Sequence, residues 1–173
     1  MTEMKRFYGK YRGEVKANND PLQIGRIRAV VPEVLGDCEL NWALPCVPFA
    51  GPGVGFFALP PVRANVWVEF EGGDPDFPIW SGCFWDPVIP PTEIPPGMLG
   101  KVSGAVLKTR GGTLKLSDLE GAGGLTIEVN PPAVSSLLKV TFTSSGIEIR
   151  NGKNSIQLSA AGVNVNDGAL EVI

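Results

Sequence analysis

The side chains best placed for chemistry are four carboxylates close together in the chain, Glu69, Glu71, Asp74 and Asp76. Paired acids of this kind are what glycan hydrolysis needs, one to donate a proton and one to act as base or nucleophile. The motif Asp74-Pro-Asp76, however, follows Gly72-Gly73, and Gly-Gly-Asp-Pro-Asp is better explained as a turn whose Asp side chains cap backbone amides. The chain has no histidine. That removes the commonest general base, the commonest zinc ligand and every Ser-His or Cys-His arrangement. Cys38, Cys46 and Cys83 lie in apolar surroundings without Cys-x-x-Cys spacing and read as buried free thiols of a reducing compartment. No Walker motif, helix-opening Gly-x-Gly-x-x-Gly or His-Glu-x-x-His occurs. The Gly-rich stretches 51–55 and 121–124 lack a following helix, and so lack the dipole that would hold a phosphate. No catalytic residue, cofactor or metal site is expected.

The elements around these residues are all β. In 173 residues the chain carries 22 Gly and 16 Pro, with 43% hydrophobic content, too apolar for disorder and rich in turns. A net charge of −3 leaves no electrostatic footprint for nucleic acid. The first residues have no apolar signal-like region and no apolar run approaches membrane-spanning length, so assembly in the cytoplasm is expected.

Near Gly100 the pattern changes. Before it, residues 1–86 hold short strand candidates at 8–17, 24–31, 42–49, 56–59, 65–71 and 77–84, with turns at Asn18-Asn-Asp-Pro21 and Gly72-Gly-Asp-Pro-Asp76. Five or so strands with no covering helix predict a small closed barrel, since closure removes exposed sheet edges. Trp67, Trp80 and Trp85 have apolar neighbours and no interleaved cations to track a phosphate backbone, so they read as core. Residues 87–100 carry five prolines and form a stiff linker. From 101 to 173 the strands alternate strictly, near 104–109, 112–117, 124–129, 137–143, 146–150, 154–159, 162–166 and 169–172.

The barrel region resembles a known family. Asp20-Pro-Leu-Gln-Ile-Gly-Arg-Ile-Arg28, Trp42-Ala-Leu-Pro-Cys46, Gly51-Pro-Gly-Val-Gly-Phe-Phe-Ala-Leu-Pro-Pro61 and the run Val66-Trp-Val-Glu-Phe-Glu-Gly-Gly-Asp-Pro-Asp-Phe-Pro-Ile-Trp-Ser-Gly-Cys-Phe-Trp85 are similar to the OB-fold domain of baseplate spike proteins. That family includes phage baseplate assembly protein V, the VgrG spikes of type VI secretion and the short spikes of extracellular and membrane-anchored injection systems. The match runs almost continuously from Tyr8 to Trp85. One departure is Val62-Arg-Ala-Asn65, where a Gly-rich turn is expected.

The resemblance implies an OB barrel followed by a C-terminal intertwined triple-stranded β-helix needle in a homotrimer. The residues agree with a need for association, because about 70 residues of one-sided strands close no core alone. The inward set comprises Leu125, Ile127, Val129, Leu138, Val140, Phe142, Ile147, Ile149, Ile156, Leu158, Val163 and Val165, with Val106, Leu114, Leu116, Leu170 and Val172 extending it. At ~1.5–3 kcal/mol each, burial of this set is substantial only if chains associate. Three chains around one axis, each strand pairing with a neighbouring chain, satisfy it. Irregular repeat lengths leave a triangular prism and a single-chain β-solenoid both open.

The apolar end at Leu170, Val172 and Ile173 either completes the trimer core or offers a blunt face to another protein, which in the family is a PAAR-like tip. Family needles that hold an axial metal do so through histidines, absent here, leaving Asn164 or Asn166 as the candidates to ring an ion. Some phage spikes carry a lysozyme domain between barrel and needle, and the linker here is too short for one.

The reading is a structural central spike, bound to a separate baseplate hub at the OB end, to a tip at the other end and to tube and baseplate components. The alternatives are a monomeric OB-fold and β-solenoid protein binding glycans or single strands, and a cell-wall hydrolase.

Overall fold

The computed structural model describes residues 5–86 and 104–172. The chain divides into two compact units, 1–91 and 92–173. The linker expected at 87–100, and Ile173, lie outside the described residues.

The first unit begins with β1 (Tyr11–Ala17) and β2 (Arg28–Val30), followed by a one-turn helix α1 (Pro32–Leu35) with Pro at its start. Short pairs follow: β3 (Leu44–Pro45), then β4 (Ala50–Gly51) and β5 (Val54–Gly55), before the long strands β6 (Asn65–Phe70) and β7 (Pro78–Phe84). Five strands form one sheet in the order β2-β1-β6-β7-β3, antiparallel except where β3 meets β7. Alternation in β6 decides the faces, with Val66, Val68 and Phe70 buried and Asn65, Trp67 and Glu69 between them half-buried. Val15, Ile27, Ala29, Val31, Leu40 and Ala43 complete a dry interior at 0% exposure. These strands curve into a half-barrel, and the rest of the first unit is largely loop.

Two expectations for this unit change. The segment 56–59 is no strand. Instead β4 and β5 form a separate hairpin across Pro52-Gly53, paired only with each other. Cys38, Cys46 and Cys83 are exposed free thiols, Cys38 standing between the exposed Asp37 and Glu39 and Cys46 in the loop after β3. At Cys83 the pairing of β6 with β7 shifts register between Val66 and Val68, a bulge that breaks the inward alternation.

The second unit is a single eight-stranded antiparallel sheet in which strands follow in sequence order: β8 (Gly104–Lys108), β9 (Gly112–Ser117), β10 (Gly124–Val129), β11 (Leu138–Thr143), β12 (Gly146–Asn151), β13 (Asn154–Ser159), β14 (Gly162–Val165) and β15 (Leu170–Val172). These bounds agree with the alternation read from the sequence to within about a residue or two. Each of β9 to β14 has a hydrogen-bonded neighbour from its own chain on both sides. Strand pairing between chains, expected for every strand, is thereby restricted to the outer edges of β8 and β15. What the interior strands can share with other copies is a face. Tight returns hold the sheet in register. Gly146 has φ +130°, and a Cβ there would collide with the Leu158 carbonyl oxygen on the next strand.

Candidate interaction surfaces

The ladder of the second unit brings the apolar residues together row by row. In one row Leu107 pairs with Leu114, Leu114 with Ile127, Ile127 with Val140, Val140 with Ile149, Ile149 with Ile156, Ile156 with Val165 and Val165 with Leu170. In the adjacent row Ala105, Leu116, Leu125, Phe142, Ile147, Leu158 and Val163 follow one another in the same way. The ladder continues to place Val172 opposite Val163. Val129 opposite Leu138 begins a third row, which passes to Asn151 and Asn154. All the residues expected inward from Leu125 to Val165 therefore share one face. Val106 does not. It pairs with Lys115 on the opposite face, and Leu107 takes its place. Two consecutive apolar residues made that strand's alternation ambiguous, and its partner Leu114 decides it.

This face is bare in the single chain. Ile149 is 51% exposed, Leu158 49% and Leu170 59%, and every buried hydrophobic side chain among the described residues belongs to the first unit. The opposite face is polar, running Lys115, Thr126, Thr141, Glu148, Gln157 and Asn164 in one row. There Arg150 holds the Glu148 carboxyl below its usual range, chiefly through a side-chain hydrogen bond. Asn164 lies in β14 and Asn166 in the turn that follows it, and both side-chain oxygens accept amides of their own chain. The Asn164 Oδ1 accepts the Gly168 amide at 3.0 Å, and the Asn166 Oδ1 accepts the Ser155 amide at 2.9 Å. No cluster of metal-ligating side chains occurs among the described residues.

In the first unit Asp74, Glu69 and Asp20 serve structure. The Asp74 Oδ1 accepts the Asp76 amide at 3.1 Å, while its Oδ2 accepts Arg6 at 3.0 Å. Glu69 pairs with Lys10 at 2.6 Å. The turn reading of Asp74-Pro-Asp76 thus agrees with the geometry. Asp20 does more, since its carboxylate accepts the amides of Leu22, Ile24 and Arg26 and the Arg26 guanidinium, which together hold it well below the usual carboxylate range. That network shapes the loop whose Gly25 carbonyl accepts the buried Trp80 Nε1–H at 3.0 Å.

Of the three tryptophans expected in the core, only Trp80 is there. Trp67 projects from the outer side of β6, its ring 4.6 Å from that of Phe84, with the Arg12 guanidinium 5.2 Å and 5.0 Å from the two ring centres. Trp85 is 73% exposed. Apolar neighbours in sequence were a poor guide, because Trp67 alternates outward from Val66 and Val68. One surface escaped the sequence reading. From Ala43 to Val62 no side chain is charged or carries a hydroxyl or amide, and every residue from 48 to 58 is exposed. The signal was present as a long absence of polar residues across the strand candidates 42–49 and 56–59 and the Gly-rich stretch between them.

The arrangement is a small half-barrel in one unit and, in the other, a β-sheet with one exposed apolar face. Comparison with known families agrees. Residues 11–85 match the type VI secretion system/phage-baseplate injector OB domain, and residues 104–171 match the phage baseplate V C-terminal trimerisation domain. Together the two domains account for most of the sequence, and the chain belongs to the phage baseplate V family of injector spike proteins. A search of curated proteins found no match. The family assignment makes the protein an all-β structural component of a baseplate, an OB domain followed by a trimerisation domain, associating as a homotrimer. No helix among the described residues is long and apolar enough to cross a membrane.

Proposed function

We propose that this protein is the central spike of a contractile injection machine, in which three copies bury the apolar faces of their C-terminal sheets against one another. Leu125, Ile127, Val129, Leu138, Val140, Phe142, Ile147, Ile149, Ile156, Leu158, Val163 and Val165 form that trimer core in the 101–173 domain. The observation that carries the reading is the pair of unbroken apolar rows left half-exposed on a sheet whose family description is trimerisation. A monomer would leave this patch in water, whereas three sheets facing one axis remove it.

The role is mechanical. In this reading the OB domain, residues 1–86, sits on a separate hub protein, and the apolar end at Leu170, Val172 and Ile173 receives a PAAR-like tip. Contraction drives the assembly through a target envelope, with no catalytic step. Asp74, Glu69 and Asp20 support that account, their carboxylates being held by amides and cations within turns and strands.

Mass determination of the purified protein in solution tests the core of the proposal. A trimer at micromolar concentration is the expected result, and a clean monomer would sink it. Release of peptidoglycan fragments by the purified protein would contradict the absence of a catalytic step.

A further inference from the structure

The outer face of the OB sheet carries a cluster that neither the trimer core nor the carboxylate network uses. Arg12 on β1 lies directly opposite Trp67 on β6, and Phe84 ends β7, the strand on the other side of β6. The Arg12 guanidinium stands within 5.2 Å of both ring centres. Arg12 is exposed and the two rings are half-buried, so the charge sits on an aromatic platform open to water. Stacking uses the faces of a guanidinium and leaves the N–H donors in its plane to take an acceptor at its edge.

The neighbouring cations are engaged within the chain. Lys10 pairs with Glu69 at 2.6 Å and donates to the Ser81 hydroxyl at 2.8 Å, and Lys16 pairs with Glu14 at 2.7 Å. Arg12 forms no ion pair with a carboxylate among the described residues. A carboxylate is the group whose two oxygens match the guanidinium fork. A nucleic-acid backbone would need several unmatched cations, and this cluster holds one. Trp and Arg are also the side chains that most often dominate binding energy between proteins. A protein surface with an Asp or Glu set among apolar side chains therefore suits both parts, its charge meeting Arg12 and its apolar groups covering Trp67 and Phe84. We infer that this face docks the baseplate hub, through a hub carboxylate seated on Arg12. This inference rests on the reading of the OB domain as hub-bound, and adds to it one face and one charge pair.

Calorimetric titration of the full-length trimer with the purified hub protein of its own baseplate is the test, with mass and thermal melts recorded for each variant. Arg12→Ala and Trp67→Ala should each weaken binding by about tenfold or more. Arg12→Lys should recover only part of the loss, because lysine keeps the charge and lacks the fork. Lys16→Ala, which removes a cation already paired in its own chain, should change binding by less than about threefold. Arg12 and Trp67 variants that bind the hub like the parent overturn the inference and leave hub binding standing. Loss of the trimer in folded Arg12→Lys overturns it as well, because the face then meets a second copy of this chain. A parent trimer that does not bind the hub overturns the hub-bound reading itself, so the failures are distinct.

Discussion

The carboxylate of Asp20 grips Arg26 from six residues away, its Oδ1 accepting Nε at 2.9 Å and Nη2 at 2.7 Å while the same carboxylate accepts three backbone amides. The loop between β1 and β2 is therefore tied to a charged acceptor. Because the folded carboxyl is held below its ordinary value of about 4, its contribution is complete above about pH 4 and is lost as pH falls through the folded-state value. Asp20→Asn should lower the thermal midpoint at neutral pH and flatten the fall in stability that the parent shows on acidification. Melts followed from pH 7 down to about pH 2 check both; an unchanged acid limb would contradict the assignment.

A lysine at Ile149 tests the apolar face. An unpaired charge buried by association costs ~3–5 kcal/mol, and a homotrimer suffers it three times. Ile149→Lys should abolish the trimer on light-scattering mass measurement, whereas Gln157→Lys, on the polar face, should leave it intact. Equal behaviour of the two variants would mean that the face is not the interface.

Alanine at Gly146 would force a side chain onto the Leu158 carbonyl, at a φ of +130° that L-residues rarely adopt. The expected loss is at least ~2 kcal/mol, in the range of strained backbone positions. Lys153, an exposed residue of the turn between β12 and β13, should tolerate alanine to within about 0.5 kcal/mol. Denaturant midpoints of the two variants make the comparison.

At Arg63 the sequence departs from the Gly-rich turn expected there, and the backbone retains a glycine-like conformation, φ +74°, with its amide donating to the Val15 carbonyl at 2.9 Å. Arg63→Gly should be neutral to stabilising by up to ~1 kcal/mol, and Arg63→Val should cost ~1–2 kcal/mol because a branched Cβ suits that region least. Urea unfolding of both variants decides the order.

The second unit was legible because period-two alternation in strands such as Gly124–Val129 and Gly146–Asn151 leaves one register in which all apolar residues agree. Where two apolar residues adjoin, as at Val106 and Leu107, that argument gave no answer and the cross-strand partner decided. In the first unit Val66, Val68 and Phe70 were readable as core for the same reason. The hairpin at 50–55 was not legible, because Pro and Gly erase alternation and an apolar segment looks alike whether it lies inside its own chain or on the surface. Trp67 and Trp85 went wrong in the same way, composition standing in for geometry.

Because β8 to β15 lie side by side in the order in which they are encoded, the second unit measures distance by counting hairpins. Each strand adds ~4.8 Å in the pairing direction, so one more hairpin would lengthen the unit by ~9.6 Å while leaving every existing contact except those at the join untouched. Reach, in such a sheet, is a quantity that duplication or deletion of about sixteen residues can adjust in even steps.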